Sequence, residues 1–166
     1  MCSKTNITEI RPARLEDKEP VMTMLEETNF FRPEELRTAE EVFDDSLSCG
    51  LDGEYRSYVA TEKNKTVGWV CLGPTACTVG TFDIYWVAVD PKVQNKGIGK
   101  NLMNFTTELI KKCGGRMIAA ETSGNPRYIS TRRFYEKLGY SKEACIKDFY
   151  TPGDDKIIYI RKVDSC

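Results

Sequence analysis

One stretch constrains this chain more than any other: residues 83–100, DIYWVAVDPKVQNKGIGK. The apolar run Phe82 to Val89 reads as a buried central strand. A polar segment follows and closes on Gly97-Ile98-Gly99. The amphipathic run from Ile98 to Cys113, with Leu102, Phe105, Leu109 and Ile110 on one side, reads as a helix. A glycine loop that opens a helix is an anion site. Glycine lets the backbone approach, and the free N–H groups of the first turn point outward at the positive end of the dipole.

Two familiar phosphate loops fail here on named positions. A P-loop requires Gly, four residues, then Gly-Lys-Ser/Thr. Gln94 stands where the first glycine belongs, and Asn101 stands where the metal-binding hydroxyl belongs. A dinucleotide fingerprint requires Gly-x-Gly-x-x-Gly directly after the strand. Here Asp90 to Lys96 intervene, and Leu102 occupies the third glycine position.

Composition narrows the chemistry. The chain has 166 residues, a length suited to one domain over 1–166, and a net charge of −1 with basic residues dispersed. That argues against nucleic acid as the partner. It lacks a run of about 18 apolar residues, and Met1 to Asn6 has no apolar core of a leader, so neither a membrane span nor secretion is expected. Seven cysteines without a Cys-x-x-Cys pair point to free thiols in a reducing cytoplasm, and no structural zinc site is expected. Histidine is absent altogether. Ser-His and Cys-His nucleophile pairs are thereby excluded, and any general base must be a carboxylate or water.

Periodicity and turn residues set the remaining elements. Strands are expected at Ile7 to Arg11 (closed by Pro12), Tyr55 to Thr61, Val67 to Leu72, Phe82 to Val89 and Arg116 to Glu121. A last hairpin, Glu143 to Tyr150 and Lys156 to Val163, turns across Pro152 to Asp155. Helices are expected at Leu15 to Thr28, Glu34 to Ser48, Ile98 to Cys113 and Arg127 to Leu138. The result is a mixed α/β layer domain.

Gln94 to Gly99, QNKGIG, fits the pattern Gln/Arg-x-x-Gly-x-Gly/Ala and follows Val87-Ala88-Val89-Asp90-Pro91. Further on, Thr131 to Tyr140, TRRFYEKLGY, is a helix ending in Phe-Tyr-x-x-x-Gly-Tyr/Phe. With both motifs in this order, the chain resembles the GNAT family of N-acetyltransferases from Ile7 to Val163. One position departs from the pattern: Asn95 stands where many relatives carry a second glycine. The resemblance implies a single-domain acyl-CoA N-acyltransferase fold, with a central, mostly antiparallel sheet flanked by about four helices. Homodimers are common in that family.

The resemblance also implies a reaction, direct transfer of an acetyl group from acetyl-CoA to a primary amine of a small molecule or peptide, with no metal. It places the cofactor's pyrophosphate on Gln94, Asn95, Lys96, Gly97, Ile98, Gly99 and Lys100. The pantetheine arm is expected along the backbone of Val87, Ala88 and Val89, with one N–H near Val87 toward the thioester oxygen. Tyr135 is implied as proton donor to the leaving sulfur. Tyr128, where many relatives carry asparagine, and Thr131 are expected on the same helix face, and Arg132 or Arg133 could reach a phosphate. Asp83, four residues before Val87, occupies the place of a catalytic glutamate in some relatives, and Glu121 is the alternative base or amine anchor. By period two, Asp83, Tyr85 and Val87 share a strand face. Phe30, Phe31 and Tyr150 are expected to wall the acceptor pocket, with Phe149 and the turn to Asp155. A route through cysteine lacks an activating histidine, although Cys71 and Cys77 are placed to flank the site. A non-catalytic acyl-CoA-binding module on the same fold is the alternative function.

Overall fold

A computed structural model describes residues 9–163. Ile7, Cys2 and Cys166 lie outside the described residues. Among the described residues, four α-helices and seven strands run in the order β1 (Glu9–Pro12), α1 (Lys18–Glu27), α2 (Pro33–Cys49), β2 (Arg56–Glu62), β3 (Lys65–Pro74), β4 (Thr81–Val89), α3 (Ile98–Lys112), β5 (Met117–Ser123), α4 (Ile129–Lys137), β6 (Ser141–Thr151) and β7 (Asp154–Lys162). The strands form one sheet in the order β1-β2-β3-β4-β5-β7-β6. β1–β2, β2–β3, β5–β7 and β6–β7 pair antiparallel, whereas β4–β5 is parallel, from Thr81 beside Met117 to Ile84 beside Ala120. This is the mixed α/β, mostly antiparallel architecture expected. Pro12 ends β1 from inside the strand, opposite Tyr58. Proline is tolerated there because β1 is an edge strand and its missing N–H breaks no central ladder.

The chain divides into two compact units. The first comprises residues up to Gly73 together with Trp86–Thr106. Val21, Leu25, Phe43, Val59 and Trp69 are fully buried in its core. The β2–β3 hairpin turns on Lys63 and Asn64, at φ 50° and 62°, the mirror-image turn that suits strand twist. A buried carboxylate ties this unit's first elements together. Asp17 accepts two hydrogen bonds from Arg11 at 2.7 and 3.0 Å, one from Thr66 Oγ1 at 2.6 Å, and one from the Arg14 N–H at 2.8 Å. Burial alone would raise its pKa. The bonds from Arg11, Thr66 and Arg14 outweigh burial and hold it below the ordinary 3.8.

The second unit comprises Pro74–Tyr85 and the residues from Thr107 onward. Ile118, Ala120, Ile157 and Tyr159 are buried in it. Its hairpin turns on Pro152 and Gly153, the latter at φ 85°, as proline followed by glycine in a type II turn requires. Residues 126–128 form a separate 3-10 turn, capped by the Asn125 side chain on the Arg127 N–H at 3.0 Å, and α4 starts only at Ile129. The expected helix from Arg127 is therefore shorter. Tyr128 sits at its N-cap, one residue ahead of the helix that carries Thr131 and Tyr135.

Candidate active site

The loop between β4 and α3 is built by local backbone rules. Asp90 accepts the Lys92 N–H at 2.8 Å and caps a 3-10 turn over Pro91–Val93. The Gln94 side chain donates to the Val89 carbonyl at 3.3 Å. Asn95 then takes φ 67° and Gly97 φ 81°. Asparagine is the side chain that best tolerates this left-handed region, which accounts for its presence where relatives have glycine. Residues 94–97 are exposed, whereas Ile98 is buried and anchors the helix. A Cβ built on Gly97 would meet nothing within 4 Å, so this position faces open space. The helix start is pinned from below by Gly68 in β3. A Cβ there would lie 2.9 Å from Leu102 Cδ1 and 3.2 Å from Ile98 Cγ2. Gly68 thus lets the first turn of α3 settle directly on the strand.

Along β4, Phe82, Ile84 and Ala88 are buried, while Asp83, Tyr85 and Val87 are not. The period-two face expected for the latter three is present. Asp83 is half-buried, and its Oδ2 accepts a hydrogen bond from Thr75 Oγ1 at 2.7 Å. Thr75 also donates its backbone N–H to the Thr81 carbonyl at 2.9 Å, so the hydroxyl is delivered by a fixed turn. No motif in the sequence announced Thr75; only the folded β3–β4 connection brings it to Asp83. Glu121 is exposed and forms an ion pair with Lys156, whose ammonium also lies 4.5 Å from the centre of the Phe149 ring.

The second motif is a helix cap. Gly139, at φ 82°, donates to the Glu136 carbonyl at 3.0 Å, and Tyr140 donates to the Tyr135 carbonyl at 3.1 Å. This is a Schellman motif, which closes the last carbonyls of a helix and brings the residue after the glycine against the one five before it. That contact is Tyr140 on Tyr135, with ring centres 5.4 Å apart. The spacing Tyr-x-x-x-Gly-Tyr is thus a mechanical device that grips Tyr135 by its own carbonyl and by its ring. Tyr159 stacks on Tyr135 at 5.7 Å. Burial pushes the Tyr135 phenol well above its ordinary value, so it stays protonated.

Other expected residues have packing duties. Phe31 packs edge-on to Trp86 at 5.1 Å, Trp86 stacks on Trp69 at 6.0 Å, and Trp69 meets Phe43 at 5.8 Å. Phe30 is half-buried. Tyr150 is exposed and packs edge-on to Phe149 at 5.1 Å. Arg132 donates to the Ser123 and Asn125 carbonyls at 2.7 and 3.0 Å, so its guanidinium ties α4 to the end of β5. Cys71 is buried, and burial pushes its thiol up to about 12, which removes it as a thiolate nucleophile. Cys77 is exposed.

Residues 53–142 match the acetyltransferase (GNAT) domain. A GNAT-family protein from Desulfovibrio desulfuricans is 42% identical, with a TM-score of 0.91 over 95% of this chain and all of that one. An uncharacterised N-acetyltransferase of Methanocaldococcus jannaschii is 27% identical over 146 residues, 80% of this chain and 88% of that protein. An aminoglycoside 6'-N-acetyltransferase solved with coenzyme A shares the fold at 16% identity, with a TM-score of 0.75 over 95% of this chain and 98% of that one. The chain belongs to the GNAT family. It is an N-acetyltransferase. No helix among the described residues is long and apolar enough to cross a membrane.

Proposed function

We propose that this N-acetyltransferase works as one catalytic domain and passes an acetyl group directly from acetyl-CoA to a primary amine of a small molecule or peptide. The observation that carries this reading is the helix-start loop. The chain at residues 94–97 is exposed, left-handed at Asn95 and Gly97, and leads straight into the start of α3, with open space at Gly97. Such an array suits a diphosphate, because backbone donors and the helix dipole bind one with little reorganisation. Gln94 to Lys100 would hold the diphosphate, with the backbone of Val87 to Val89 and Tyr128 along the arm. Acetyl-CoA would supply the activated acetyl thioester.

The chain's own groups supply the proton chemistry. Tyr135, kept neutral by burial, gives its phenolic proton to the departing sulfur. Between the two carboxylates, we assign proton removal from the amine to Asp83, directly or through one water. Thr75 holds its Oδ2 and thereby orients the group, whereas Glu121 is already engaged by Lys156. Phe30, Phe31 and Tyr150 are assigned to the acceptor side. We place the enzyme in a reducing cytoplasm on the strength of free thiols at Cys49, Cys71, Cys77, Cys113 and Cys145.

Mass-spectrometric detection of acetyl transfer to a panel of amines and peptides tests this. Wild type should yield an acetylated product. Tyr135→Phe should lose at least about tenfold in rate while still binding coenzyme A. Acetyl-CoA binding without product across the panel would refute the transfer reading, and unchanged turnover in Tyr135→Phe would remove that residue. An acetyl group trapped on any cysteine would refute direct transfer.

A further inference from the structure

Tyr159 supports Tyr135 from the sheet. It belongs to β7, is 1% exposed, and stacks on the Tyr135 ring with centres 5.7 Å apart and planes inclined by 30°. Its hydroxyl donates to Glu136 Oε1 at 2.9 Å. Burial, and then the bond to Glu136, push the Tyr159 phenol up to about 12, so it stays a donor. Glu136 is the residue after Tyr135 in α4, and it is exposed. An exposed carboxylate gains little by trading water for a tyrosine hydroxyl. The bond matters for what it fixes.

The contacts close a ring around Tyr135. Its backbone leads to Glu136, the Glu136 carboxylate takes the Tyr159 hydroxyl, and the Tyr159 ring lies against the Tyr135 ring. Four residues earlier on the same helix face, Arg132 donates to the Ser123 and Asn125 carbonyls at 2.7 and 3.0 Å. Arg132 thus fastens α4 to the end of β5, and Glu136 fastens its last turn to β7. Ring contacts tolerate sliding, whereas a bond to a carboxylate oxygen fixes distance and direction.

We propose that Glu136 is a positioning residue for Tyr135 and acts through Tyr159: its carboxylate fixes the Tyr159 ring, and that ring holds the Tyr135 phenol in line for the departing sulfur. The proposal rests on the reading of Tyr135 as proton donor. In that step the thioester C–S bond and the Tyr135 O–H bond break, and an S–H bond forms on the leaving sulfur. The proton lost by the amine as it becomes an amide goes to Asp83 and returns to Tyr135 through water. Tyr159 keeps its own proton throughout. Proton transfer depends steeply on geometry, so a looser Tyr135 costs rate while cofactor binding is kept.

Steady-state kinetics and melting curves test this, with the amine acceptor that the mass-spectrometric panel identifies. Tyr159→Phe and Glu136→Ala remove the same bond from either end. Each should lower kcat about fivefold with KM for acetyl-CoA unchanged, and the double variant should be no slower than either single one. Glu136→Gln keeps an acceptor oxygen at the same reach and should stay within about twofold of wild type. In a Tyr135→Phe background, Glu136→Ala should have no further effect. The proposal falls if Glu136→Ala leaves kcat untouched, costs the same in both Tyr135 backgrounds, or is matched by Glu136→Gln. A lower melting temperature with unchanged kcat would make the bond purely structural. A silent Tyr135→Phe would overturn the reading of Tyr135 itself, and this proposal with it; a silent Glu136→Ala beside an impaired Tyr135→Phe would overturn this proposal alone.

Discussion

Gly97 and Gly139 adopt nearly the same backbone, φ 81° and 82°, and at neither would a Cβ meet any atom within 4 Å. Their consequences are opposite. Gly97 precedes a helix, at the end where the first N–H groups lack intrahelical acceptors and the proposed ligand would bind. Gly139 follows a helix, and there the Glu136 and Tyr135 carbonyls are bonded by Gly139 and Tyr140. One glycine exposes backbone donors. The other seals backbone acceptors and fixes the tyrosine whose carbonyl it helps to close. Conformation alone does not tell a binding glycine from a structural one; the end of the helix it sits on does.

If both junctions work through φ, neither should rival a buried side-chain network in stability. Asp17→Asn is therefore expected to be the largest stability loss, about 3 kcal/mol, because it strands the Arg11 charge and weakens three further bonds. Its pH signature follows from the sign of the shift. The folded pKa lies below the unfolded value, so the stabilisation is complete above about pH 4 and is lost as pH falls through the folded value. Chemical denaturation at pH 7 and at pH 3 should show wild type beginning to lose this contribution and the variant losing none through this site. An equal acid loss in both would assign the acid sensitivity elsewhere.

The next effect separates the two glycines. Gly97→Ala should cost only about 1 kcal/mol of stability, the penalty of a left-handed alanine. It should weaken coenzyme A binding about 30-fold, because the methyl group would project into the open space that the proposed diphosphate site needs. Gly139→Ala should cost the same 1 kcal/mol and leave coenzyme A affinity unchanged, while lowering kcat through looser placement of Tyr135. Calorimetric titration with coenzyme A reads the difference. Equal affinities in the two variants would erase the distinction between the junctions.

This contrast also explains what was legible beforehand. Backbone devices leave local marks, so the loop at Gln94 to Gly99 and the cap ending at Gly139-Tyr140 both stood out as motifs, and the element order followed from periodicity. Side-chain partnerships across the fold leave none. Thr75 and Asp83 lie eight residues apart, Ser123 and Arg132 nine, and Lys156 and Glu121 on neighbouring strands. Each pairing exists only after strands register. The same holds for Tyr128, where the helix boundary turned on the Asn125 cap rather than on hydrophobic spacing. The Phe31–Trp86 ring contact is of the same kind, because a turn aromatic carries no sign of the ring it packs against.

The smallest effect bears on why Asn95 is not glycine. At φ 67°, asparagine carries a modest strain that glycine would relieve. Glycine would also gain freedom in the unfolded chain, which costs stability by a similar amount. The two effects oppose each other, so Asn95→Gly should change stability by less than about 0.5 kcal/mol and coenzyme A affinity by less than about threefold. Asn95→Val lacks that compensation, because a β-branched side chain resists the left-handed region. It should cost about 1–2 kcal/mol. Denaturation and titration of both variants distinguish a backbone role from a side-chain role. A large affinity loss in Asn95→Gly would mean that the asparagine amide itself grips the ligand, and the loop would then no longer be a pure backbone device like the cap at Gly139.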